Sequence, residues 1–272
     1  EGRQFRIGRV DIVGNQGVQD RVLRRILDEE GFTPGEIYDA RIADGTGRGE
    51  LETILKRTAY LDTVKITPGE PRDDVRDANV QVTEGQTGSV MLGAGVASDS
   101  GLMGQIVYDQ RNFDIGDWPD SLSELLFGEA FKGAGQRFRA AFTPGTVQSS
   151  FAVSFTEPYL LDHPMSLDVV LSGFERGYDG YDLDRLRGYV ELERRYEDRW
   201  RRGLGFRAEQ VEVDDIDVDA PSDITDVKGT NELFGGKLFV RRDLRDNRFL
   251  PTEGYYFDSS YEQVAGDFTF GV

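Results

Sequence analysis

The 272-residue chain contains no cysteine and one histidine, His163. Without thiols there is no disulfide framework and no thiolate metal site. A reducing cytosol and a thiol-free envelope protein both fit that absence. A lone histidine with no second one and no cysteine cannot anchor a metal site or a nucleophilic triad. Basic residues are short as well: 32 Lys and Arg against 50 Asp and Glu, a formal net charge of −18. Such a chain repels polyanions, so no nucleic acid is expected as a partner. No apolar run approaches the roughly 20 residues of a membrane-spanning helix. Glu1 opens no signal peptide, so the chain reads as mature, internal or trimmed. A polar mean hydropathy does not exclude membrane strands, because alternating strands average out to weakly polar.

What is present falls into two textures. The first eighty-odd residues mix strand and helix. Phe5 to Val13 alternates and ends at the turn Gly14-Asn15, a strand. Gln19 to Glu30 places Val22, Leu23, Ile26 and Leu27 on one helical face, with Asp20 in the first turn and Gly31 as the stop. A second helical stretch is interrupted: Ile37 to Ala43, a glycine-rich insertion at Asp44 to Gly49, then Glu50 to Tyr60 with Leu51, Ile54 and Leu55 inward. Glycines inside a helix cost about 1 kcal/mol each, so the insertion reads as a loop. Thr63 to Thr67 is a short strand, Pro68 to Asp74 a loop, and Val75 to Thr83 a strand. The order is β-α-α-β-β.

After Glu84-Gly85, helical periodicity nearly vanishes. Alternating strands are expected at Gln86–Ala97, Leu102–Gln110, Phe138–Thr143, Val147–Thr156, Ser166–Phe174, Leu186–Tyr196, Gly203–Val213, Glu232–Arg241 and Tyr255–Gln263. The chain closes on Phe268 to Val272 in strand-like sequence. Several strands reach the roughly 9 to 11 residues that cross a bilayer at a tilt. Each has one apolar face, such as Phe138, Ala140 and Phe142. The opposite faces carry Arg137, Arg139, Glu191, Glu193, Arg207 and Glu209. A soluble β-sandwich would bury the apolar faces against each other, whereas a membrane barrel would turn them to lipid. Aromatic residues near strand ends (Tyr108, Trp118, Tyr159, Tyr178, Tyr196, Trp200, Tyr255) favour the barrel. Asp120 to Phe131 lacks alternation, and Leu122, Leu125 and Leu126 suggest a short amphipathic helix covering a hydrophobic surface or lying at a membrane interface.

Other chemistry is sparse. Gly93-Ala94-Gly95 lies within a strand and opens no helix, so it is no dinucleotide loop. Asp215, Asp217 and Asp219 have the spacing of a calcium loop, but Ala220 and Asp226 replace the glycine and glutamate such a loop needs. They are a weak metal candidate on what reads as a solvated acidic loop. No cofactor is expected, and no catalytic residue: the chain is not read as an enzyme.

The motifs then resemble a known family. The run VDIVGNQ (Val10 to Gln16), a helix, and TAYLDTVKI (Thr58 to Ile66) resembles a POTRA (polypeptide-transport-associated) domain. Thr83 to Phe113, FTEPYL (Phe155 to Leu160) and LRDNRFLPTEGYYF (Leu244 to Phe257) resemble the BamA family of bacterial outer-membrane assembly factors. The resemblance implies an α+β POTRA domain over residues 1–85 in the periplasm. It implies antiparallel transmembrane strands of a partial β-barrel over 86–272, with a short helical insertion near 120–131. About nine strands of a barrel of about sixteen would be present, because the family's Val-Arg-Gly-Phe-like loop is not reached. The implied activity is insertion of β-barrel proteins into the outer membrane by strand pairing, with unfolded barrel clients, accessory lipoproteins, periplasmic chaperones and lipid as partners. The first barrel strand would pair with client strands through Thr87, Gly88, Ser89, Val90, Met91, Leu92, Gly93, Ala94 and Gly95. The POTRA edge strand would be Thr63, Val64, Lys65, Ile66 and Thr67. The alternatives are a translocator dedicated to one secreted passenger and a soluble β-sandwich binding module.

Overall fold

The computed structural model describes residues 4–39, 49–121, 123–124, 130–245, 251–266 and 270–271. The expected glycine-rich insertion, apart from Gly49, lies outside them, as do the leucines of the expected amphipathic helix. The chain divides into one unit of residues 1–89 with 110–136 and a second of 90–109 with 137–272.

The first unit is built from β1 (Arg6–Val13), α1 (Asp20–Glu29), α2 (Glu50–Thr58), β2 (Leu61–Arg72) and β3 (Val75–Glu84). The sheet order is β1-β3-β2, with β1 parallel and β2 antiparallel to β3. A parallel pair needs a long crossover, and the two helices together with β2 supply it. Val22, Leu23, Ile26 and Leu27 face inward from α1, as their spacing predicts, and meet Leu51 and Leu55 of α2. Ile7 and Val10, Val64 and Ile66, and Val80 and Val82 complete the core from the three strands. Each buried aliphatic side chain contributes about 1.5–3 kcal/mol, an upper value because the unfolded chain is itself partly collapsed. Tyr38 packs edge-on against Phe32 at 5.7 Å, and burial pushes its phenol above the ordinary tyrosine range.

Two expectations fail here. Pro68 to Asp74 is not a loop. β2 runs on to Arg72, pairs Pro71 with Arg76 and Arg72 with Val75, and absorbs its prolines in a register shift between Pro68 and Pro71. Proline lacks the amide that a central strand must donate, but β2 is an edge, where that loss is tolerated. Ile37 is not helical either. It bridges antiparallel to Arg6, and the Ile7 N–H donates to the Glu36 carbonyl at 2.8 Å.

Residues 110–136 also belong to this unit. The Asn112 side chain donates to the Gly17 carbonyl at 2.8 Å and accepts from the Gly135 N–H at 2.9 Å. The Gln19 N–H donates to the Gly133 carbonyl at 2.9 Å, and its side chain donates to Asp114 at 2.6 Å. Phe113 and Phe131 stack at 5.5 Å. At the expected helical insertion, Ser123 and Glu124 are helical. The Ser121 hydroxyl accepts the Glu124 N–H at 3.3 Å, as an N-cap does.

The remaining strands form one ten-stranded sheet in chain order: β4 (Gly88–Ala97), β5 (Gly101–Phe113), β6 (Gln136–Thr143), β7 (Gln148–Glu157), β8 (Met165–Tyr178), β9 (Tyr181–Arg195), β10 (Trp200–Asp214), β11 (Gly229–Asp243), β12 (Tyr256–Gly266) and β13 (Phe270–Gly271). From β6 onward each neighbouring pair is antiparallel. The strands overrun the apolar stretches that announce them. β9 starts at Tyr181 rather than Leu186, because Tyr178 and Tyr181 close the hairpin and stack at 4.8 Å. A short helix, α3 (Ser222–Thr225), lies in the β10–β11 connection.

Candidate pairing edges and the two faces of the sheet

Backbone register determines which side chains share a face of the large sheet. Phe155 opposes Val169, Val169 opposes Val190, and Val190 opposes Phe206. One step away, Leu167, Leu192, Leu204 and Leu238 form a row that ends on Tyr261. These rows are not covered: Phe206 is 52% exposed, Leu238 64% and Leu92 of β4 76%. A soluble sandwich would bury them under a second sheet. Among the described residues no second layer lies on this face, which overturns the sandwich alternative.

The opposite face is an ion-pair lattice. Glu209 accepts from Arg187 at 2.9 Å and lies 3.8 Å from Arg185 and 4.0 Å from Arg207. Arg207 reaches Glu262 at 3.1 Å, and Lys237 reaches Glu191 at 3.1 Å. The Tyr189 hydroxyl donates to Glu191. Glu193 lies 3.6 Å from both Arg201 and Arg241, and Arg241 continues to Asp258 at 3.1 Å. Charges of both signs alternate along and across strands β9 to β12. Each of Glu191, Glu193, Glu209 and Glu262 thereby meets at least one cation on this polar surface. Apolar outside and charged inside is the arrangement of a membrane barrel wall.

Aromatic rings cover bare glycines in this wall. Phe239 lies over Gly203, Tyr189 over Gly205 and Phe151 over Gly173. Sequence reasoning missed these pairs. The signal was a glycine in mid-strand, but its aromatic partner is identified only by register.

The residues expected to pair with clients stand as follows. Thr87 is buried, and its carbonyl accepts the Arg111 N–H at 3.0 Å. Gly88, Ser89, Val90, Met91, Leu92, Gly93, Ala94 and Gly95 form β4, which sits at the end of the sheet order with β5 as its hydrogen-bonded neighbour. Its three glycines differ. A Cβ on Gly88 would collide with Gln110 Oε1, so a larger residue there must displace the end of that side chain. At Gly93 the nearest atom would be 3.7 Å away, and at Gly95 none lies within 4 Å. Those two leave the strand thinly packed, which weakens it.

Thr63, Val64, Lys65, Ile66 and Thr67 lie in β2, an edge of the small sheet. The edge is not bare. The Ile66 N–H donates to Glu52 Oε1 at 2.8 Å, while Glu52 Oε2 accepts the Gly49 N–H at 2.7 Å and closes the start of α2. Glu52 is 1% exposed. Two residues on, Pro68 has no N–H to offer. The acidic run is not assembled as a metal site: among the described residues no group of three or more metal-ligating side chains comes together. Asp215 turns the chain with φ of 49°, and the Asp217 N–H donates to the Gly180 carbonyl at 2.9 Å. The candidate Asp215, Asp217 and Asp219 is thereby withdrawn.

Comparison with known proteins agrees with this geometry. A family model described as POTRA, surface antigen variable number repeat, matches residues 5–85. One described as the Omp85 superfamily domain matches residues 131–271. The outer membrane protein assembly factor BamA of Nitratidesulfovibrio vulgaris is 27% identical over 266 residues, 96% of this chain and 30% of that protein. BamA of Neisseria meningitidis serogroup B is 27% identical over 276 residues, 93% of this chain and 31% of that protein. The chain thus spans about a third of the length of these relatives. Among solved structures, BamA from Haemophilus ducreyi lacking POTRA domains 1–3 superposes with a TM-score of 0.63 at 17% identity, covering 98% of this chain and 50% of that one. CdiB from Acinetobacter baumannii gives 0.50 at 15% identity, covering 99% and 46%. With a POTRA module followed by strands that turn an apolar face outward, and with the family model spanning half of its residues, the chain belongs to the Omp85 superfamily.

Proposed function

We propose that this chain is part of a bacterial outer-membrane assembly factor that folds and inserts β-barrel proteins. Its POTRA module lies in the periplasm and its strands lie in the membrane. The observation that carries the reading is β4. Among the described residues it is a strand with a hydrogen-bonded neighbour on one side, apolar side chains exposed, and thin packing at Gly93 and Gly95. An unsatisfied backbone group in lipid costs several kcal/mol, so such an edge favours pairing with an incoming strand. Strand addition supplies main-chain hydrogen bonds without regard to client sequence, as a general inserter needs. No covalent chemistry enters the scheme. Unfolded barrel proteins are the clients, and accessory lipoproteins and periplasmic chaperones are the partners, with the POTRA module as their docking surface. The relatives named BamA support this reading.

A translocator dedicated to one exported passenger would use the same POTRA-and-strand plan. Depleting the full-length protein in its own host and quantifying the envelope proteome separates the two. Joint loss of many unrelated outer-membrane barrels is expected. Loss of a single exported protein with other barrels unchanged would overturn the insertion reading.

A further inference from the structure

In a chain of net charge −18, one end of the apolar face is basic. The row Leu192, Leu204, Leu238 and Tyr261 is followed, toward the β9–β10 and β11–β12 connections, by Arg194 opposite Arg202, then by Trp200 opposite Arg242 and Arg242 opposite Phe257. The alternation of side chains puts Arg194, Arg202 and Arg242 on the same face as the leucines. The guanidinium groups lie over rings. Arg194 and Arg202 are 5.4 and 5.1 Å from the Tyr196 centroid, and Arg242 is 5.1 Å from that of Trp200. Arg242 also donates to the Tyr255 hydroxyl at 3.0 Å and to the Asp198 carbonyl at 3.3 Å.

The contrast with the other face is sharp. There Arg187, Arg201, Arg207 and Arg241 all meet carboxylates. Among the described residues, none of Arg194, Arg202 and Arg242 has a carboxylate within ion-pair distance. The opposite end of the same strands is acidic, with Glu212, Asp214, Asp215, Asp217, Asp219, Asp223 and Asp226 in and after β10. A guanidinium over an aromatic ring still has N–H donors that can meet a phosphodiester oxygen, in Arg242 those not already given to Tyr255 and Asp198. The aromatic belt of a membrane protein sits at headgroup depth, where long basic side chains also come to rest.

We propose that Arg194, Arg202 and Arg242, set on Tyr196 and Trp200, bind the phosphodiester of an anionic phospholipid at one rim of the apolar face. The occupant is a lipid rather than a free anion because Leu204, Leu238 and Tyr261, in the row beside the three guanidinia, are exposed, so acyl chain and headgroup meet one continuous surface. This rests on the reading that the apolar face meets lipid. The site would fix the depth of β9 to β12 in the bilayer and favour one leaflet for that end of the sheet.

The test uses the full-length protein to which this chain belongs, folded into vesicles of phosphatidylcholine alone or mixed with phosphatidylglycerol, followed by native mass spectrometry of the lipid retained in detergent. Preferential retention of phosphatidylglycerol is expected. The triple variant Arg194→Gln, Arg202→Gln, Arg242→Gln should lower the preference by about fivefold per arginine. A charge-matched control, Arg9→Gln, Arg72→Gln, Lys228→Gln, should retain it. The triple Arg→Lys variant keeps the charge if the Gln variant folds poorly, and should retain part of the preference while losing the bidentate component. Failure of the full-length protein to enter vesicles would overturn the membrane reading itself. A protein that enters and retains both lipids equally, or whose preference survives the triple Gln variant, would overturn this inference alone. Displacement of the lipid by millimolar inorganic phosphate would reassign the arginines to a soluble anion.

Discussion

The ring of Phe239 lies over Gly203, its cross-strand partner, so that a Cβ on Gly203 would collide with the ring edge. Two cations lie close to the ring, Lys237 at 5.1 Å and Arg241 at 4.5 Å from its centroid. The glycine makes room, and the aromatic restores the packing that the glycine gives up.

That relationship predicts a coupled pair. Gly203→Ala forces the ring off its neighbour and should destabilise the sheet by about 1–3 kcal/mol, the usual cost of overpacking. In a Phe239→Ala background the same change should cost less, because the ring is gone and the Leu192 carbonyl, 2.6 Å from that Cβ, is the obstacle that remains. Urea unfolding of the four proteins of the cycle, followed by Trp200 fluorescence, gives the coupling directly. Additive effects would show that the ring and the glycine are independent.

The charged face makes a second prediction. Glu209 is 8% exposed and is the shared acceptor of Arg185, Arg187 and Arg207. Glu209→Gln leaves the three guanidinia facing one another. The cost should be about 1–3 kcal/mol, below that of a fully buried pair because the arginines remain partly wet. The loss should shrink at high salt, where exposed charges are screened. Equal stability of variant and parent at low salt would show that the lattice is ornamental.

These two cases show what the sequence made legible. Alternation alone places Phe206 and Arg207 on opposite faces, and helix spacing alone places Val22, Leu23, Ile26 and Leu27 in the POTRA core. Both follow from the local period of the backbone. Pairs such as Gly203 with Phe239 do not. They depend on hairpin register, which is fixed by turns many residues away. Pro68 and Pro71 concealed the second half of β2, because proline argues against a strand unless the strand is known to be an edge. The acidic spacing of Asp215, Asp217 and Asp219 pointed to chemistry, but the turn spreads the three along a connection.

The POTRA edge provides a third prediction. Glu52 ties the start of α2 to the middle of β2, and it occupies the Ile66 amide that an added strand would need. Glu52→Ala should leave both N–H groups without their acceptor and destabilise the module by about 1–3 kcal/mol. Hydrogen exchange at Ile66 should accelerate while Val80, in the centre of the sheet, stays protected. A peptide copying Gln148–Glu157 should protect the Ile66 amide in the variant more than in the parent. Equal protection in both would show that Glu52 does not restrict this edge.

A last prediction separates the two faces of the wall through neighbours in sequence. Phe206 and Arg207 sit side by side in β10 with opposite surroundings, one among exposed apolar residues and the other between Glu209 and Glu262. Phe206→Arg puts a charge into lipid and should cost about 2–4 kcal/mol near the bilayer midplane. In detergent-free buffer, where that face meets water, the same change should be neutral or raise solubility. Arg207→Phe should behave in the opposite way: little penalty from lipid, but a loss in every solvent from the unpaired Glu262. Folding both variants into vesicles and comparing urea midpoints with the parent decides the matter. If Phe206→Arg enters bilayers as readily as the parent, the exposed face is not the lipid face. The wall would then have to be turned inside out, with the Glu209 lattice outward.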